Sequence, residues 1–116
     1  MKEPWDFQFA SQVEDKAGRF PQVSGMTFTM DPSAEAGARV SEVMVAGAPL
    51  DVDKLYKVAV NDYILGGGDG YAALGGGKII TGTGGGNLVA TDVMTYVEKA
   101  GKVAPTVEGR IKILGQ

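Results

Sequence analysis

Tyr56-Lys57-Val58-Ala59-Val60-Asn61-Asp62-Tyr63-Ile64-Leu65-Gly66-Gly67-Gly68-Asp69-Gly70-Tyr71 is the stretch around which the chain is organised. Its first five residues are apolar enough to predict a buried strand. Beyond them, residues 66–70 set four glycines around the carboxylate of Asp69. Glycine loses more conformational freedom on folding than any other residue, so such a cluster needs a physical reason. Either the backbone takes positive φ, or something approaches too closely for a Cβ. The loop also carries chemistry. Asp69 offers a negative hydrogen-bond acceptor, Tyr63 and Tyr71 offer flat rings, and Gly67, Gly68 and Gly70 shape the backbone between them. That set suits a ligand with hydroxyls to donate and a planar face to stack, such as a sugar joined to a base. Two plainer readings stand beside it. An aspartate in a glycine turn often bonds its own backbone amides, and Tyr63 can be a core ring with its hydroxyl at the surface.

With 116 residues the chain is the size of one ordinary domain. Its 18 glycines exceed twice the average share of about 7%, which argues for a loop-rich strand protein over a helical bundle. A net charge of −3 supplies no basic stripe and argues against binding a nucleic-acid polymer. The chain has no cysteine and no histidine, which removes thiol catalysis, the usual zinc and two-metal phosphatase centres, and any imidazole base. No segment reaches the roughly 18–20 apolar residues of a membrane-spanning helix. Met1-Lys2-Glu3-Pro4-Trp5-Asp6 lacks the apolar core of a signal peptide.

Along the chain, Trp5, Phe7 and Phe9 have a spacing that fits either a short edge strand or a helix remnant, and residues 11–18 read as a polar loop. Met26-Thr27-Phe28-Thr29-Met30 is the cleanest strand, methionines and phenylalanine inward and both threonines outward. Residues 31–37 are turn-rich, Val40 to Val45 is a second strand, residues 51–55 suggest one helical turn, and residues 78–81 a further strand. Val89, Val93, Tyr96, Val97 and Ala100 share one face of a helix over about 88–100, with Asn87 as N-cap and Gly101 as its stop. Ile111 and Ile113 point inward from a closing strand. The fold class is therefore α+β, with mostly antiparallel or mixed strands and one long helix.

Other patterns fail on their chemistry. Gly68-Asp69-Gly70-Tyr71-Ala72-Ala73 fits a dinucleotide fingerprint, yet its carboxylate would repel a pyrophosphate and no long helix opens after it. A P-loop would need glycine at Ala72 and a hydroxyl at Ile79. The glycine triplets at 66, 75 and 84 recur every nine residues, as in calcium β-rolls, but Ala72 and Thr81 stand where the repeat needs aspartates.

Four separated pieces, in this order, resemble the C-terminal domain of 5'-nucleotidases. They are Gly18-Arg19-Phe20-Pro21-Gln22-Val23-Ser24-Gly25-Met26, Gly37-Ala38-Arg39-Val40, Asn61-Asp62-Tyr63 with Gly67-Gly68-Asp69-Gly70-Tyr71, and Glu108-Gly109-Arg110-Ile111. The resemblance runs from about Ser11 to Leu114 and makes residues 1–116 a single, partial substrate-recognition domain. It implies that Tyr63, at a position often held by phenylalanine, stacks on a base. It also implies that Asp69 accepts hydrogen bonds from ribose hydroxyls and that Gly18 makes a backbone contact near the ligand. In this family, which includes UDP-sugar hydrolases and 2',3'-cyclic-nucleotide phosphodiesterases, two divalent metal ions sit in a separate metallophosphatase domain. This chain would then hold no catalytic residue, no metal and no cofactor of its own. A periplasmic, cell-surface or extracellular setting is implied as well.

The chain departs from the family at its start. The other half of the aromatic clamp and the phosphate-holding arginines lie ahead of the Gly-Arg-Phe motif in the family, and only 18 residues precede Arg19 here. An N-terminally truncated recognition piece is the expectation, with a nucleoside or nucleotide and the metallophosphatase domain as partners. The alternative is a non-enzymatic interaction or self-assembling module, because uncovered strand edges invite a homodimer.

Overall fold

Alternating apolar and hydroxyl side chains make residues 26–30 a strand with one face to bury, and the sheet is built outward from it. The computed structural model describes residues 20–115, and there this pentapeptide forms β1 (Met26–Met30). β2 (Val40–Val45) pairs with it antiparallel, β3 (Ala48–Pro49) pairs antiparallel with β2, and β4 (Ile111–Ile113) pairs parallel with β1. The strand order is β3-β2-β1-β4, the mixed sheet expected for the fold class. Pro49 cannot donate to a ladder, and β3 duly lies at an edge. Phe28 (2% exposed) and Met30 (0%) centre the core, with Phe20, Val23, Met26, Val40, Val43 and Ile111 packed against them.

Thr29 departs from the alternation. It is buried, and its hydroxyl donates to Glu42 Oε2 at 2.6 Å. The cause is a bulge: the β1–β2 register shifts between Thr27 and Thr29, and Glu42 takes φ 52. An extra residue in β2 turns the glutamate back over Thr29 and covers it. In the β1–β2 connection, Asp31 Oδ1 accepts from the Ser33 amide (2.9 Å) and hydroxyl (2.6 Å). The buried Arg39 donates through Nε to the Ala34 carbonyl at 2.8 Å.

The chain divides into two compact units. The described part of the first is residues 20–58 with 108–115, which hold the sheet, and the second is Ala59–Val107. The second contains α1 (Asp62–Leu65), three 3-10 turns (Gly68–Gly70, Ala72–Gly76 and Thr83–Gly85) and α2 (Val89–Ala100). Helix α2 matches the periodicity of its sequence and stops at Gly101, whose amide bonds the Val97 carbonyl at 2.9 Å. Asn87 does not cap it. Leu88 holds that position without a side-chain bond, and the Asn87 amide reaches Asp92 Oδ1 at 3.0 Å instead. The apolar residues Leu88, Val89, Val93, Met94 and Tyr96 are exposed.

Two expected strands are absent from the described residues. Residues 56–60 join no ladder and expose Val58 and Val60, and residues 78–81 run through a bend with Ile79 and Ile80 exposed. Both runs have β-forming side chains but no neighbouring strand, and a strand exists only by its pairing. Residues 51–54 make a hydrogen-bonded turn (Lys54 N to Asp51 O, 3.2 Å) without continuing into a helix. The edge strand expected at Trp5, Phe7 and Phe9, the loop at 11–18 and the contact assigned to Gly18 lie outside the described residues.

Candidate functional site

The glycine loop begins with a cap. Asn61 is extended (φ −77, ψ 166), and its side-chain oxygen accepts from the Ile64 amide at 2.8 Å. Asp62 comes next, in the first turn, where a negative charge suits the helix N-terminus, and its Oδ1 accepts from the Tyr63 amide at 2.9 Å. The chain then reverses. Gly66 N bonds Asp62 O at 2.9 Å, Gly67 N bonds Ile64 O at 3.0 Å, and Gly67 enters the left-handed region at φ 91. Gly70 repeats that conformation at φ 83. Between them Asp69 sits at φ 54, ψ 22, a region that aspartate tolerates better than most residues.

Gly68 answers to a different constraint. A Cβ there would stand 2.6 Å from each of Cδ1, Cε1 and Cζ of Tyr63. Three consecutive atoms of a regular hexagon share one equidistant axis, the one through the ring centre. Gly68 therefore lies beneath the middle of the Tyr63 ring, nearer than any side chain permits. The reversal also carries Asp69 to the far end of the ring, where the Tyr63 hydroxyl donates to its Oδ1 at 3.2 Å. Tyr71 closes the loop. Its amide bonds Gly68 O at 3.1 Å, and its side chain is buried.

The structure thus brings Tyr63, Asp69, Gly67, Gly68 and Gly70 together within one reversal. Tyr63 is 60% exposed, so it is not a core ring. With one face against Gly68, it presents the other face outward. Residues 59–77 contain no lysine or arginine, while Asp62 and Asp69 contribute two carboxylates. Such a surface accepts hydrogen bonds and stacks, and it repels anions. The separate roles of the glycines were not legible from the sequence. The one available signal was the six-residue spacing of Tyr63 and Asp69, which fits a ring laid back over a reversal.

The described residues do not fit a metal centre. No three of their His, Cys, Asp and Glu side chains gather closely enough to hold an ion. No helix among them is long and apolar enough to cross a membrane. A shallow groove in the first unit, lined among others by Thr27, Thr29, Glu42, Met44, Arg110 and Lys112, contains none of the predicted site residues. Arg110 there is tied to Glu108 (2.6 Å) and to the Val23 carbonyl (2.8 Å).

Comparison with known proteins bears on this geometry. Residues 8–76 match the family described as "5'-nucleotidase, C-terminal domain". The chain is 35% identical over 112 residues to the trifunctional nucleotide phosphoesterase protein YfkN of Bacillus subtilis, covering 90% of this chain and 8% of that protein. It is 36% identical over 102 residues to a snake venom 5'-nucleotidase of Gloydius brevicauda, covering 81% of this chain and 17% of that one. The crystal structure of a 5'-nucleotidase precursor from Thermus thermophilus superposes with a TM-score of 0.83 at 34% identity. The superposition covers 99% of this chain and 24% of that structure. The chain therefore spans a quarter or less of the length of each.

Proposed function

Since this chain belongs to the 5'-nucleotidase C-terminal domain family, we propose that its glycine loop recognises the nucleoside part of a nucleotide for a larger phosphohydrolase. The base lies on the open face of Tyr63, and the ribose hydroxyls donate to Asp69. Gly67, Gly68 and Gly70 hold the backbone low enough for this approach. The observation that carries this reading is the exposed ring resting on Gly68 with its hydroxyl on Asp69. Hydrolysis of the phosphate ester belongs to a metallophosphatase domain that carries two divalent metal ions. The isolated chain supplies binding and orientation only. The family's venom members favour a periplasmic, cell-surface or extracellular setting for the parent protein.

The affinity expected of the chain alone is modest. One stacking face is worth about 1–3 kcal/mol, and hydrogen bonds to a charged acceptor about 1.5–3 kcal/mol. Together they give a Kd on the order of millimolar, since 1 mM corresponds to about 4 kcal/mol. Titration of the isotopically labelled chain with adenosine tests this. Shifts at Tyr63 and Asp69 that saturate, and that vanish in Tyr63→Ala, support recognition. No shift at tens of millimolar refutes it. Turnover of AMP by the pure chain with manganese would contradict its assignment as a binding piece.

The exposed residues Leu88, Val89, Val93, Met94 and Tyr96 favour a second reading, an interaction surface. Analytical ultracentrifugation separates the two. A concentration-dependent dimer with no nucleoside response would favour the assembly module.

A further inference from the structure

The phenol of Tyr63 has a task that base stacking does not require. The ring rests on Gly68 with or without a hydroxyl, and the hydroxyl instead reaches across six residues to donate to Asp69 Oδ1 at 3.2 Å. The same bond steadies the carboxylate. Asp69 stands at φ 54, a conformation that costs an L-residue about 1–2 kcal/mol and persists where the surroundings hold it. A carboxylate has room for about four donors, so accepting a hydrogen bond from the Tyr63 hydroxyl does not preclude accepting from a sugar as well.

Resting on the nucleoside-recognition reading above, we propose that the Tyr63 hydroxyl is a positioning group. It ties the stacking ring to the sugar-binding carboxylate and so makes the site selective for sugars that carry hydroxyls. A phenylalanine at this position would stack equally well but would leave Asp69 without this tie. The hydroxyl therefore contributes only when the ligand uses Asp69.

The test compares the wild-type chain with Tyr63→Phe, a change at an exposed ring that preserves the stacking surface. Each is titrated with adenosine and with 2',3'-dideoxyadenosine, which keeps the base and the 5' hydroxyl but lacks the 2' and 3' hydroxyls. One hydrogen bond of ordinary net worth predicts that Tyr63→Phe weakens adenosine by about threefold to tenfold. Dideoxyadenosine binding should not change. Equal weakening of both ligands would mean that the hydroxyl only orients the ring, and no weakening of either would mean that it does nothing. Both results overturn the proposal. A second readout needs no ligand. The Asp69 carboxyl carbon and the Gly68 α-protons, which feel the ring current, should move in Tyr63→Phe, and unmoved signals would overturn the tie. If neither nucleoside perturbs the wild-type chain, the recognition reading fails, and the ligand-free spectra still decide whether the tie exists.

Discussion

Replacing Gly68 with alanine should weaken nucleoside binding at least severalfold while leaving the fold intact. The new methyl would stand 2.6 Å from Cδ1, Cε1 and Cζ of Tyr63, whereas carbon atoms pack at about 3.5–4.0 Å. The ring must therefore lift by about 1 Å or more. Its hydroxyl, already 3.2 Å from Asp69, would pass beyond about 3.5 Å, where no hydrogen bond remains. Stacking and the Asp69 tie fail together. Loss of the stack alone, about 1–3 kcal/mol, weakens adenosine by roughly fivefold to 150-fold. Stability should move little. Gly68 does not adopt positive φ, so alanine gains about 0.4–1 kcal/mol by restricting the unfolded chain. Turning an exposed tyrosine off its rotamer costs about 0.5–1.5 kcal/mol. The two nearly cancel, and Tm should stay within a few degrees. Gly76→Ala is the control, since nothing stands within 4 Å of its added Cβ. Thermal melts and adenosine titrations on the three chains decide the matter. Unchanged binding in Gly68→Ala, or a Tm lowered by more than about 10 °C, would refute the description of Gly68 as the floor beneath the ring.

Met30→Ala empties the best-buried side chain of the sheet (0% exposed) and should cost about 2–5 kcal/mol in urea unfolding; a loss below about 1 kcal/mol would place the core elsewhere. At the bulge, Glu42→Ala removes the acceptor of the buried Thr29 hydroxyl and keeps a positive-φ residue, while Glu42→Gly removes the same acceptor and relieves the backbone. Glycine should therefore be the more stable replacement by about 1 kcal/mol, and an alanine variant of equal or greater stability would contradict the strain. The Ser33 hydroxyl and amide hold the Asp31 carboxyl below the ordinary aspartate range. Its folded value is depressed, so the contribution to stability is fully present above the unfolded value and is lost as pH falls through the folded one. Ser33→Ala should raise the Asp31 titration midpoint, read from its carboxyl carbon, and an unmoved midpoint would show that the hydroxyl does not matter.

Elements whose evidence is local were legible in the sequence. β1 follows from two-residue alternation, and α2 from its apolar face. Residues 56–60 and 78–81 were not legible, because Val58, Val60, Ile79 and Ile80 have strand propensity whatever lies beside them. Thr29 was misplaced for a related reason. Alternation assumes an uninterrupted ladder, and a bulge built on a glutamate at positive φ leaves no glycine to announce it. The residue types of the glycine loop were legible in the sequence. That Gly68 serves a ring while Gly67 and Gly70 serve the backbone needs three-dimensional proximity to see. Asn87, plausible as a cap by type and position, lost that place because Asp92 offered its amide a partner.

The charge of the loop leads to one more outcome. Residues 59–77 carry Asp62 and Asp69 and no cation. A nucleotide seated with its base on Tyr63 and its sugar on Asp69 places a doubly charged phosphate roughly 8 Å from that carboxylate, and in water such a pair repels by about 1 kcal/mol, or roughly fivefold in affinity. The isolated chain should therefore bind AMP no better than adenosine, and up to about fivefold worse at low salt, with the gap closing as salt screens it. A chain that binds a nucleoside but disfavours its phosphate is a poor nucleotide receptor by itself. Under the proposed function, cations on another domain would hold the phosphate while the loop fixes the opposite end. Binding energy gained far from the reacting bond then serves alignment and so raises turnover, beyond simply lowering KM. Tighter binding of AMP than of adenosine by this chain alone would place a phosphate site within it and undo that division of labour.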